Sequence, residues 1–268
     1  SLMVGYAVHH VIIFVDRAMA STLAAGSVAA LNYGYRLALV LGQLSGLAVS
    51  TALFPGMAEQ AGRRDHSGLR TSLAGALGVV WAIGAPACAG LVLLRVPVVQ
   101  LLFERGAFDQ EATAAVTRVL TWYAPAVLAD ALCQPLWRVV YARRGARAVA
   151  AINGLQTIIR VGANLALIPQ FGYIGLAISA AVGLSVQLLV LGWLLHRRLG
   201  TYLTAAWWHR AIDVTVSTGC AVIVAGLLYA QVPAVPALVQ LAVCGIAGGL
   251  TYILGLWLLE RFHRRLEK

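Results

Sequence analysis

Long apolar stretches, separated by short gaps that hold most of the charge, recur through the whole of this 268-residue chain. Eight of them reach the roughly 20 residues that a helix needs to cross a hydrocarbon core. They lie near 2–24, 27–54, 70–94, 111–141, 147–168, 173–196, 205–230 and 236–259. Several exceed a bare span, which leaves room for tilt or for extension beyond the membrane. The pattern predicts an all-α, polytopic membrane bundle of about eight transmembrane helices. The first stretch has no charged leader and no cleavage site, so it reads as a retained span rather than a signal peptide. The chain opens on Ser1 and not on methionine, as a segment of a longer protein would.

Within the spans, small residues such as Gly84, Ala85, Ala87 and Gly90, or Gly245, Gly248 and Gly249, predict close helix contacts. Lipid gives helices no hydrophobic reason to associate, so tight backbone approach must do that work. Pro86, Pro125 and Pro135 also fall inside spans and should bend them, because proline removes an i to i−4 hydrogen bond.

Composition strengthens the membrane reading. Apolar residues make up 60% of the chain and charged residues 11%, against about a quarter charged in soluble domains. The net charge of +10 resembles a nucleic-acid signature, yet its distribution excludes one. Arg63, Arg64, Arg70, Arg143, Arg144, Arg147, Arg197, Arg198, Arg210, Arg261, Arg264, Arg265 and Lys268 occupy alternate gaps and the C-terminal end. The intervening gaps contribute only Arg95, Arg105 and Arg118. Thirteen basic groups on one side against three on the other place the basic gaps, and both ends of this chain, in the cytoplasm.

Cys88, Cys133, Cys220 and Cys244 each fall inside an expected span, with no CxxC and no histidine ligand set nearby, so they read as apolar thiols and not as metal ligands or disulfides. The membrane carboxylates are few and scattered, and no HExxH, DxD or nucleophile-elbow pattern is present. No catalytic residue, metal or cofactor is expected.

The chemistry of interest therefore rests on ionisable side chains in the spans, each costing about 2.5 to 3.5 kcal/mol at a helix centre. They are Asp16 and Arg17 in the first span, Arg36 in the second, Asp130 and Arg138 in the fourth, Arg160 in the fifth and Asp213 in the seventh. Counting along helices at 1.5 Å per residue puts Asp16, Arg36 and Arg160 roughly 12 to 14 Å below the outer surface, in one slab. Arg17 follows Asp16 directly, and adjacent residues do not share a helical face. Asp130, Gln134 and Arg138 recur every four residues and form a polar stripe, with Arg138 near enough to the cytoplasmic end to snorkel. Asp213, four residues from His209, reads as interfacial, and at most one of the neighbours His9 and His10 can face a cavity.

Two motifs add a family resemblance. Gly26-Ser-Val-Ala-Ala-Leu-Asn-Tyr-Gly-Tyr-Arg-Leu37 and Leu101-Leu-Phe-Glu-Arg-Gly-Ala-Phe-Asp109 resemble segments of the MurJ (MviN) family of lipid II flippases, within the multidrug, oligosaccharidyl-lipid and polysaccharide exporter superfamily. Asn164-Leu-Ala-Leu-Ile-Pro169 and Gly172-Tyr-Ile-Gly-Leu176 follow in the same order. The resemblance covers nearly the whole chain but only the C-terminal lobe of the family. It implies that 1–199 form six lobe helices, family helices seven to twelve. It also implies that 200–268 add two more, thirteen and fourteen, which form a groove for a lipid tail.

The resemblance further implies transport of an undecaprenyl-diphosphate-linked peptidoglycan precursor, lipid II, across the bacterial inner membrane by alternating access. The partners would be that glycolipid, membrane lipids and an N-terminal lobe of the same protein, with no nucleic acid. Arginine suits such cargo, since its planar fork of donors matches phosphate oxygens. Arg36 falls on the family's functional arginine, and Arg160, Arg17 and Asp16 join it as candidate substrate-binding residues. The acid usually preceding the arginine is Tyr35 here, which leaves Asp16 as the expected partner of Arg36. Asp16 and Asn164 also match two positions of a family sodium site. A third, normally Asn, is Arg160, and a fourth, normally Thr, falls at Ala180. Either the Arg160 guanidinium replaces the ion and neutralises Asp16, or it faces the cavity and binds phosphate. Another lipid-linked oligosaccharide as cargo, or a membrane assembly half-protein that does not transport, are the alternative functions.

Overall fold

The computed structural model describes residues 15–23, 26–47, 65–106, 108–142, 146–232 and 235–266, with scattered positions between 49 and 63. His9, His10, Arg64, Arg143, Arg144 and Lys268 lie outside the described residues, as does the start of the first expected span. Every regular element among the described residues is helical. After a helical segment at 15–21 come α1 (Ser27–Gly42), α2 (His66–Leu93), α3 (Arg95–Phe103), α4 (Gln110–Ala142), α5 (Ala146–Phe171), α6 (Tyr173–Leu199), α7 (Ala205–Gln231) and α8 (Ala237–Leu266).

Five helical stretches are long and apolar enough to cross a membrane: His66–Leu93, Val149–Phe171, Tyr173–Leu199, Ala205–Gln231 and Ala237–Arg261. They fall on the third and the fifth to eighth expected spans. The fourth expected span forms α4, a helix of 33 residues that is less apolar. Its position explains the difference, because α4 is the hub of the bundle, packed against α6, α1, α2 and α3. A helix covered by protein can hold Asp130, Gln134 and Arg138 without offering them to lipid. The remaining two expected spans, 2–24 and 27–54, fall partly outside the described residues.

Helix starts follow local chemistry. Asp65 caps α2 by accepting from the Gly68 backbone N–H at 2.9 Å and from the Ser67 hydroxyl at 2.7 Å. Those two bonds hold the Asp65 carboxyl below the usual carboxylate range, the Gly68 amide contributing most. Thr204 caps α7. Gly172, at φ 58° and ψ −136°, turns α5 into α6 through backbone space that only glycine enters freely.

Packing is close where small residues allow it. A Cβ on Gly46 would lie 2.6 Å from the Ala131 Cα, so α4 touches backbone against the π-helical turn Gln43–Leu47 that ends α1. One core, of Leu69, Leu73, Leu136, Leu191 and Leu195, ties α2, α4 and α6 together at one end. A second, of Val99, Leu120, Leu176 and Ala177, ties α3, α4 and α6 together at the other. Helices α7 and α8 pack on each other and against α2, and α8 also meets α3.

Candidate functional site

The motif Leu101–Asp109 lies at a corner between α3 and α4. Pro97 sits in the first turn of α3, where its missing N–H is harmless, and the apolar run to Phe103 packs on α4. Arg105 donates to the Leu102 carbonyl at 2.6 Å and so covers the C-terminal end of α3. Gly106 takes φ 62°. Asp109 accepts from the Ala112 backbone N–H at 2.9 Å and caps α4, and Thr113 donates to Glu104 at 2.8 Å across the corner. Tyr33 of α1 lies 4.8 Å from the Phe103 ring and 5.5 Å from that of Phe108. The two sequence motifs, some 70 residues apart in the chain, therefore meet in one aromatic cluster.

Deeper in the bundle the polar residues converge. Arg160 of α5 donates to an Asp16 carboxylate oxygen at 2.5 Å, and the Asn164 amide donates to the other oxygen at 2.8 Å. Ser179 of α6 donates to the Asn164 carbonyl. The side chains of Arg160 and Asp16 are only 13% and 17% exposed, so the pair sits in low dielectric and each charge depends on the other. The Arg160 stem crosses the face of Gly183 on α6. One step further along the same seam, Gln187 donates to Asn153 at 3.1 Å.

Asp16, Arg160 and Asn164, taken from three positions 144 or more residues or four residues apart, thus form one cluster. Ser179 belongs to it and went unread in the sequence, where Ala180 was matched to the hydroxyl position. A one-residue shift of register supplies the missing hydroxyl, and the signal was the i, i+4, i+8 run Ser179, Gly183, Gln187 on α6.

Asp16 turns to α5 and not to Arg36. The buried face of α1 is Ser27, Ala30, Leu31, Gly34 and Ala38, against α4, and Arg36 lies on the exposed face with Asn32 and Gln43. Among the described residues Arg36 makes no ion pair or hydrogen bond. Tyr35 packs edge-on against the buried Tyr123 at 5.4 Å, an apolar contact where the resemblance led one to look for an acid. Arg17 is exposed on a face other than that of Asp16, as adjacent residues must be. Along α4 the stripe is half-buried, with Gln134 donating to Asp130 at 3.4 Å, and Arg138 lies one turn further on. No metal-binding group of histidine, cysteine and acidic residues occurs among the described residues.

Two cavities flank these features. One, of about 440 Å³, opens between helical residues 15–22 and α5, lined by Val15, Met19, Leu165 and Ile168. The other, of about 190 Å³, lies between α2, α7 and α8, lined by Pro86, Gly90, Ala225, Gly248 and Tyr252.

Known proteins resemble this chain in sequence and in fold. The chain is 28% identical over 201 residues to a probable lipid II flippase MurJ of Haemophilus influenzae, covering 73% of this chain and 38% of that protein. It is 28% identical over 217 residues to the lipid II flippase MurJ of Burkholderia cenocepacia, covering 81% and 42%. The chain therefore spans well under half the length of these relatives. Among solved structures, a lipid II flippase MurJ in an inward closed conformation superposes with a TM-score of 0.80 at 18% identity, over 98% of this chain and 53% of that one. An outward-facing multidrug transporter of the MATE family shares the fold more loosely, with a TM-score of 0.61 at 15% identity, over 95% and 61%. Because the profile described as lipid II flippase MurJ matches residues 2–238, everything up to the start of α8, the chain belongs to that family.

Proposed function

We propose that this chain is the C-terminal part of a transporter that carries undecaprenyl-diphosphate-linked peptidoglycan precursor from the inner to the outer leaflet of the bacterial cytoplasmic membrane. Residues 1–199 serve as the lobe that rocks and 200–268 as its two-helix companion, with both ends of the chain in the cytoplasm. The observation that carries the reading is Arg36, an exposed guanidinium on the polar face of α1, beside Asn32 and Gln43 and without a carboxylate partner among the described residues. A diphosphate crossing a membrane needs such a cation, and a planar fork of donors binds its oxygens in pairs. Arg17 is exposed as well and offers a second cation.

Arg160 takes a different part in this proposal. Its guanidinium is engaged by Asp16 while Asn164 and Ser179 complete the shell, an arrangement that favours a tethered positive charge standing where a free cation would otherwise sit. The cavity between α2, α7 and α8 offers apolar walls for a polyprenyl chain.

The test is complementation. A bacterium depleted of its native flippase receives the full-length gene that contains this chain, either unaltered or with Arg36→Ala. The unaltered gene should restore growth and the variant should not, at equal membrane abundance. Full rescue by Arg36→Ala removes this arginine from the transport path.

A further inference from the structure

One repeat in the sequence is used neither by the motif corner nor by the Asp16 cluster. Trp193-Leu-Leu-His-Arg197 near the end of α6 recurs as Trp257-Leu-Leu-Glu-Arg261 near the end of α8. In both copies the spacing of four brings the arginine back over the tryptophan on one helical face. The Arg197 guanidinium carbon lies 4.3 Å from the centre of the Trp193 ring, and that of Arg261 lies 3.7 Å from the centre of the Trp257 ring. Both indoles are exposed, at 55% and 45%. Neither guanidinium has a carboxylate partner among the described residues.

The two copies also stand at the same height. Trp193 follows Tyr173, the first residue of α6, by 20 positions, and Trp257 follows Ala237, the first of α8, by the same number. At 1.5 Å per residue each indole is about 30 Å from its helix start, the thickness of a hydrocarbon core, and each arginine is about 6 Å beyond it. Because α7 alone separates α6 from α8, the two helices run the same way and their ends share one membrane face. That face is where Arg198 and Arg210 also lie, on the side of the basic gaps.

We propose that each Trp-x-x-x-Arg pair is a clamp for the phosphate of an anionic phospholipid in the adjoining leaflet. The indole sits at the boundary between tails and headgroups and stacks on one face of the guanidinium, which fixes its plane. The N–H donors in that plane are left to point outward at headgroup height, where a lipid phosphodiester meets them with paired hydrogen bonds. A lysine in the same place would keep the charge and lose both the stack and the fork. The lipid acyl chains lie along the apolar flanks of the same helices, where Leu189 of α6 and Ile253, Leu254 and Leu258 of α8 are exposed.

The test uses the full chain purified in detergent, stripped of lipid and titrated with phosphatidylglycerol or phosphatidylcholine, bound lipid being counted by native mass spectrometry. Phosphatidylglycerol should bind selectively at two sites. Arg197→Lys and Arg261→Lys should each weaken one site about fivefold, the effect of losing one exposed guanidinium–indole stack, with phosphatidylcholine unchanged. Trp193→Leu and Trp257→Leu should do the same, and all four variants should melt with the parent since the side chains line the perimeter. Lysine variants that bind phosphatidylglycerol like the parent reduce the pairs to plain charge and overturn the clamp. Equal binding of the two lipids by the parent overturns it as well. Displacement of phosphatidylglycerol by inorganic phosphate at matched concentration assigns the pairs to a free anion and removes the lipid from the proposal.

Discussion

At the scale of single residues, the Asp16–Arg160 pair separates stability from transport. Removing one member of a largely buried ion pair strands its partner, so Arg160→Gln alone, or Asp16→Asn alone, should lower stability by about 3 kcal/mol. The double variant Asp16→Asn with Arg160→Gln should recover most of that loss. A thermal-melt cycle on the four proteins measures the coupling, and additive single effects would show that the two charges act independently. If Arg160 stands in for a free cation, sodium should leave the melting temperature where potassium leaves it, and a selective rise with sodium rules the substitution out. Asp65 behaves differently because water surrounds it. Its carboxyl is held below the usual range by the Gly68 amide and the Ser67 hydroxyl, so the cap is fully in place above the unfolded pKa, near 3.9. Stability from this group is lost as pH falls through its lower, folded value. Melting curves of the parent and Asp65→Asn should therefore converge as the solution is acidified.

At the scale of elements, the corner between α3 and α4 and the turn between α5 and α6 are set by a few residues each. Asp109→Ala removes the α4 cap and should cost about 1 kcal/mol. Gly46→Val asks for volume where the Ala131 backbone already stands, a clash costing at least 1 to 3 kcal/mol and readable as a lower melting temperature. How far these elements were legible depends on which physical signal produced them. Spans such as Tyr173–Leu199 and Ala205–Gln231 follow from continuous apolar composition alone, and sequence and structure agree there within a few residues. Helix α3 was hidden because nine residues are too few to register as a span and its Arg95 and Gln100 break the apolar run. The meeting of Asp16 with Arg160 was legible from equal depth, which needs only a count along two helices. Ser179 was missed because a helix rotates 100° per residue, so an alignment off by one position points at the wrong face. The preference of Asp16 for α5 over α1 depends on how three helices rotate about their axes, and neither composition nor spacing records that.

At the scale of the whole molecule, the hub position of α4 accounts for why the most polar long helix is also among the best covered. Orientation follows from charge placed outside the spans, and it is open to a direct check. In a background without the four native cysteines, Thr201→Cys should react with an impermeant maleimide only from the cytoplasmic side, and Glu104→Cys only from the outside. The reverse pattern would invert the assignment of both membrane faces. The chain spans only part of the length of its relatives. It contains one coherent set of packed helices while spanning 38% and 42% of the two flippases compared above, and α1 shows a polar face that its own bundle leaves uncovered.

The aromatic clasp of Tyr33 by Phe103 and Phe108 fixes one end of α1, and the opposite end winds out of α-helical register at Gln43–Leu47. Both places are held against neighbours, because Gly46 in that turn already stands against the Ala131 backbone of α4. Arg36, less than one turn from Tyr33, rides on a strut pinned above and below it, so it moves only as α4 moves. A spin-label pair reporting on Gln43 relative to α4 should accordingly keep as narrow a range of distances as one reporting on Tyr33.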